Sequence, residues 1–87
     1  MKAWCFETVE CPDGKVEFGK SVNLPFAPFV GLMILWDESE ADFFIVGHVE
    51  WSVENECFWL TGNDESEVEK EEIIAWRLSL GWTLERR

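Results

Sequence analysis

Three cysteines and one histidine (Cys5, Cys11, Cys57 and His48) are the residues best suited by type to hold a metal or to start a covalent reaction. Structural zinc sites bring ligands in pairs separated by two to four residues. Here five residues separate Cys5 from Cys11 and eight separate His48 from Cys57, so neither pair clips a metal locally. Cys5 also alternates with Trp4 and Phe6, where a thiol serves as a small core hydrophobe. A Cys57–His48 nucleophile and base would need neighbouring strands. Even then, no helix start or cationic group follows Cys57 to lower its pKa, and nothing marks an oxyanion hole. The expectation is a chain with no catalytic residue, no metal and no cofactor.

The carboxylates are abundant but undirected. Acid–base hydrolysis needs two of them held in a pocket by a larger scaffold, and 87 residues around a filled core leave little volume for a cleft. No glycine-rich phosphate loop and no serine elbow occurs. The run Asp37-Glu38-Ser39-Glu40-Ala41-Asp42 lacks the loop glycine and terminal glutamate of a calcium hand.

Charge and aromatic content say more. Eighteen acids face seven bases, a net charge of −11. Between Asp37 and Glu72 stand thirteen acids and one base, Lys70, whereas the rest of the chain is close to neutral. Such a field disfavours direct contact with nucleic acid or anionic lipid, whose phosphates need cations, and attracts a basic protein surface. Six Trp and seven Phe are more than a domain this small can hide, so one or two Trp should stay exposed in an apolar patch ringed by acids. A patch of that kind marks a partner surface or a homodimer seam. The candidate surface comprises Glu65, Glu67, Glu69, Glu71 and Glu72, with Glu50, Glu54, Trp51 and Trp82.

The elements that must position these residues follow from period and punctuation. Residues 3–9 read as a strand, Cys11-Pro12-Asp13-Gly14 as a hairpin turn, and Lys15–Leu24 as the antiparallel return strand. Pro25 and Pro28 exclude a central strand at Leu24–Phe29, whereas Phe29–Trp36 is apolar throughout except Gly31 and reads as the central one. After the polar turn, Phe43–Val53 forms a fourth strand with Gly47 as a bulge, and Cys57–Leu60 a fifth that Gly62-Asn63 closes. Ser66–Leu80 is the one helix. Ser66 and Glu69 form a capping box, Ile73, Trp76 and Leu80 share a core stripe with Ile74 and Leu78 beside it, and Gly81 ends the helix. Trp82-Thr83-Leu84 returns as a short edge strand, and the tail to Arg87 frays. The chain is thus a single α+β domain over 1–87: a curved antiparallel sheet of about five strands in the order βββββα, with a short last strand and the C-terminal helix packed across it.

An odd number of cysteines without a dense framework fits a reduced, cytoplasmic setting, and no segment is long enough to span a membrane. The function expected is a non-enzymatic, acidic protein-interaction domain that binds another protein; its acidity either draws a basic partner surface or serves only to keep a tryptophan-rich chain soluble. Two alternatives stand beside it. One is a small-molecule or metal-binding domain using a cleft beside Leu24–Phe29 or the cysteines. The other is a nucleic-acid mimic, in which the Glu65–Glu72 ridge imitates phosphates toward a basic DNA- or RNA-binding protein.

Overall fold

The first hairpin sets the frame. Strand β1 (Lys2–Cys11) and strand β2 (Gly14–Asn23) pair antiparallel over their whole length, joined by the two-residue turn Pro12-Asp13. Gly14 has φ +131°, a conformation that side chains resist and glycine accepts. Along β1 the residues alternate strictly: Ala3, Cys5, Glu7 and Val9 are buried on one face, while Trp4, Phe6 and Thr8 are half-buried on the other. The computed structural model describes residues 1–37 and 42–85; the polar turn at 38–41 and the last two arginines lie outside the described residues.

Strand β6 (Cys57–Glu65) lies on the other side of β1 and runs parallel to it, with Cys5 opposite Leu60 and Glu7 opposite Gly62. Strand β5 (His48–Ser52) pairs antiparallel with β6, and strand β7 (Thr83–Glu85) antiparallel with β2. The main sheet therefore has the order β5-β6-β1-β2-β7, with β1 at its centre. One helix, α1 (Lys70–Ser79), packs across it, which gives the expected α+β architecture. The sheet is mixed because the chain reaches β6 by a long excursion and not by a hairpin; a parallel pair needs such a crossover.

That excursion revises the reading of the middle of the chain. Phe29–Trp36 is not the central strand. Only Met33–Leu35 is strand, as β3, and it pairs with β4 (Phe43–Ile45) in a separate two-stranded ribbon. The ribbon buries one face, through Ile34, Phe44 and Val46, and exposes the other. The run is apolar on both faces, yet one face, that of Met33 and Leu35, is exposed. The expected strand Phe43–Val53 is likewise two strands. At Val46-Gly47 the chain leaves the ribbon and enters the main sheet, with the Gly47 N–H donating to the Thr61 carbonyl at 2.8 Å. Gly62, read as a terminator, sits inside β6. A Cβ there would stand 2.6 Å from the Ile45 carbonyl and 2.9 Å from the Phe44 ring, so the glycine lets the ribbon cross the sheet.

The helix is shorter than Ser66–Leu80 and is capped differently. Ser66 Oγ accepts from the Val68 N–H in a local turn, and Glu69, the N-cap residue, makes no side-chain cap. The cap comes from the first hairpin, where Asp13 Oδ1 accepts from the Lys70 N–H at 2.9 Å. Gly81, with φ +92°, ends the helix as expected. Its buried residues are Ile73 and Arg77, while Trp76 is 44% exposed and Leu78 48%, so the core stripe runs through 73, 74 and 77 and not through Trp76. The core between sheet, helix and ribbon centres on Trp82, Phe18, Phe44 and Leu60. Burial of a side chain of the Phe18 or Leu60 kind contributes about 1.5–3 kcal/mol.

Candidate protein-interaction surface

The two faces of the main sheet differ in what covers them. Helix α1 and the β3–β4 ribbon lie on the face of Ala3, Cys5 and Leu60, which joins the core cluster. On the opposite face of the central strands stand Trp4, Phe6 and Trp59, none of them part of that cluster. Trp4 and Trp59 face each other across the β1–β6 pair. The Phe6 ring lies 6.1 Å from Trp4 and 6.0 Å from Trp59, tilted against the first and edge-on to the second. Such edge and tilted contacts are the favoured geometry for aromatic pairs.

Carboxylates surround this aromatic centre. Glu50 stands opposite Trp59 on β5, and Glu17 and Glu85 stand opposite each other on β2 and β7. Gly19 makes room on this face: a Cβ there would lie 2.5 Å from Glu85 Oε1 and 2.9 Å from the Trp4 indole nitrogen. A shallow groove of about 300 Å³ runs past Lys2, Trp4, Phe6, Asn55, Cys57 and Trp59. Its walls are three rings, the Asn55 amide, the Lys2 side chain and the Cys57 thiol, and His48 is not among its lining residues.

The predicted surface residues do not form one surface. Glu65, Glu67, Glu69, Glu71 and Glu72 are all exposed, where β6 ends and α1 begins. Trp51 is 53% exposed, but it lies at the opposite end of β6, opposite Phe58, with its ring 4.9 Å from the Phe58 ring. Glu54 is exposed in the β5–β6 turn at that same end. Nine residues of strand, about 27 Å, separate the two ends. Glu50 belongs with the open face. Trp82 is not a surface residue at all: it is 2% exposed, packs edge-on against Trp36 and donates its indole N–H to Asp42 Oδ1 at 2.8 Å. Three tryptophans, Trp51, Trp59 and Trp76, are exposed, more than the one or two expected. Trp59, Glu17 and Glu85 are absent from the surface expected from sequence, and so are Trp4 and Phe6. Their even positions in β1, out of phase with the small residues Ala3 and Cys5, were the signal that could have found them.

The groups that could do chemistry are kept apart. His48 stands opposite Thr61 and Cys57 opposite Ser52, four residues along the strand and about 13 Å away. Cys5 is fully buried, and burial first, then the charge of Glu7, pushes its thiol up to about 12. Such a thiol is not a nucleophile at neutral pH. Among the described residues no group of three histidine, cysteine or acidic side chains could hold a metal ion. Nor is any helix among them long and apolar enough to cross a membrane.

Charge is found instead inside the covered face. Arg77 reaches from α1 to form an ion pair with Glu7, both nearly inaccessible, and lies 3.5 Å from Asp64. Its guanidinium sits 5.2 Å from the centre of the Trp82 ring and 5.6 Å from that of Phe18. Lys20 donates to Asp42 Oδ2 and to the Leu80 carbonyl, each at 2.6 Å, and its ammonium lies 4.7 Å above the Trp36 ring. Burial raises the Glu7 carboxyl above its ordinary value, and the opposing pull of Arg77 is smaller.

No family model, curated protein or solved structure matches the chain.

Proposed function

We propose that this chain is a non-enzymatic protein-interaction domain that binds the basic surface of another protein on the open face of its sheet. The observation that carries the reading is the placement of Trp4, Phe6 and Trp59 on the face of the main sheet opposite the core cluster, with Glu17, Glu50 and Glu85 beside them. Aromatic side chains at the centre of a patch and charge at its rim are the usual anatomy of a binding surface. The pairing suits lysine and arginine in particular: a ring face takes the cation, the neighbouring carboxylate takes its hydrogen bonds, and an arginine stacks on tryptophan best of all. The net charge of −11 draws such a partner in before contact.

The nucleic-acid-mimic version has weaker support. The five glutamates between Glu65 and Glu72 are spread over a strand end, a turn and a first helical turn, and do not form one row of even spacing. A small-molecule reading would use the shallow groove past Trp4, whose open form suits a flat protein surface better.

Affinity capture from lysate on the immobilised chain, followed by stepwise salt elution, tests the reading. Basic proteins should be retained, released by moderate salt, and lost from Trp59→Ala and Glu50→Gln baits. Retention that is insensitive to salt and to both substitutions would overturn it.

A further inference from the structure

The β3–β4 ribbon departs from the ordinary pattern of a half-covered antiparallel pair, whose solvated face is polar. Its outward face is Met33, Leu35, Phe43 and Ile45, between 38% and 51% exposed. The register sets Met33 beside Ile45 and Leu35 beside Phe43, so the four side chains make one continuous block. The chain enters β3 through Phe29 and Val30, which are 55% and 65% exposed, with the Phe26 ring stacked 6.2 Å from that of Phe29. No charged residue occurs from Ser21 to Trp36, in a chain with eighteen acids and seven bases.

We propose that this face is a homodimer seam, on which a second copy of the chain seats its own β3–β4 face. Area and charge identify the occupant. The four outward ribbon side chains present on the order of 350 Å², and the exposed Phe26, Phe29 and Val30 in the segment leading into β3 would bring the patch toward the ~800 Å² that each partner contributes to a standard interface. At −11, two copies repel through any surface that carries their acids, and the outward side chains of β3 and β4, which carry no charge, are where they meet without burying like charges. A basic partner gains little from Met33, Leu35, Phe43 and Ile45 themselves, which offer it no carboxylate. A twofold contact uses the same patch twice, and two ribbons packed face to face stand about 10 Å apart.

This seam lies on a different face from the basic-partner surface and responds to salt in the opposite sense. Screening weakens attraction to a basic partner and relieves repulsion between two acidic copies. Sedimentation equilibrium of the full chain at about 0.05 M and about 0.5 M sodium chloride should show a reversible monomer–dimer equilibrium, with Kd roughly tenfold lower at the higher salt. Ile45→Glu and Leu35→Glu, each with the parent's near-ultraviolet circular dichroism, should weaken dimerisation by roughly two orders of magnitude or more. Met33→Lys replaces either variant that fails to fold. Trp59→Ala should leave the dimer constant unchanged, so that loss of the seam and loss of the basic-partner surface read out separately. A monomer at both salts and at millimolar concentration would overturn the proposal. So would open-ended association, or a dimer that survives two folded ribbon variants.

Discussion

The covered face of the main sheet buries ion pairs within its apolar core, whereas its open face exposes aromatic rings. Beneath α1 and the ribbon, Glu7 meets Arg77 and Lys20 meets Asp42, with carboxylates about 5% exposed. On the uncovered side, Trp59 is 39% exposed although its ring could fill much of a core. A buried ion pair is a poor source of stability, because desolvation consumes most of the attraction, but it fixes geometry. Here each pair ties a distant segment to the first hairpin. Arg77 positions α1 on β1, and Asp42, bonded to both Lys20 and the Trp82 indole, positions the start of β4. The covered face thus uses charge for register. The open face carries its rings on the side of the sheet opposite the core cluster, with Trp59 39% exposed, and that asymmetry is the physical basis for assigning it to a partner.

The comparison breaks most visibly at Arg77. Arg77→Ala leaves Glu7 buried against apolar neighbours without its cation, and a buried pair broken from one side costs about 3–5 kcal/mol. Urea denaturation at neutral pH should show that loss. The double variant Glu7→Leu with Arg77→Met should recover most of it or exceed the parent, as replacing a whole buried pair by apolar side chains often does. If Arg77→Ala costs less than about 1 kcal/mol, the ion pair does not define the covered face.

Much of this arrangement was legible in the residues, and the parts that were not share a cause. The first hairpin, the helix end at Gly81 and the last strand follow from turn chemistry and local period, which act within a few residues. The parallel β1–β6 pair, the ribbon and the remote cap from Asp13 depend on contacts between segments far apart in the chain, and local pattern carries no record of them. Gly62 illustrates the limit: a glycine after a strand signals an end, yet its role here is to admit Phe44 and the Ile45 carbonyl from another element. Arg77 illustrates it at the site. An arginine on a helix reads as a solvated residue, and only the buried phase of Glu7 in β1, odd like Cys5 and Val9, hinted that a cation was needed inside.

A second measurement sharpens the comparison through pH. The ordinary value for Glu7 is 4.5, and burial raises it in the folded chain. The folded state therefore holds the Glu7 proton where the unfolded chain has released it. The stability this proton contributes is fully present below about pH 4.5 and is lost as pH rises through the raised folded value. Glu7→Gln keeps the shape and removes the titration. Parent stability should fall relative to this variant between acid and neutral pH, as read from denaturant midpoints across a pH series. Parallel curves would mean that Arg77 fully offsets the burial of Glu7.

The smallest effect on folding is expected on the open face, and its smallness is the point. Trp82→Ala removes a ring from the centre of the core and should cost about 3–5 kcal/mol, as such truncations do. Trp59→Ala removes the same residue type from a position 39% exposed whose ring contact is with Phe6, and such an aromatic pair is worth about 0.5–1.5 kcal/mol. Denaturant midpoints of the two variants should therefore differ by several-fold in free energy. If Trp59→Ala instead approached the cost of Trp82→Ala, the open face would be a second core, and its rings would need no partner to explain them. If it costs about 1 kcal/mol and also removes the captured basic proteins, the tryptophan is retained for what it binds and not for what it packs against.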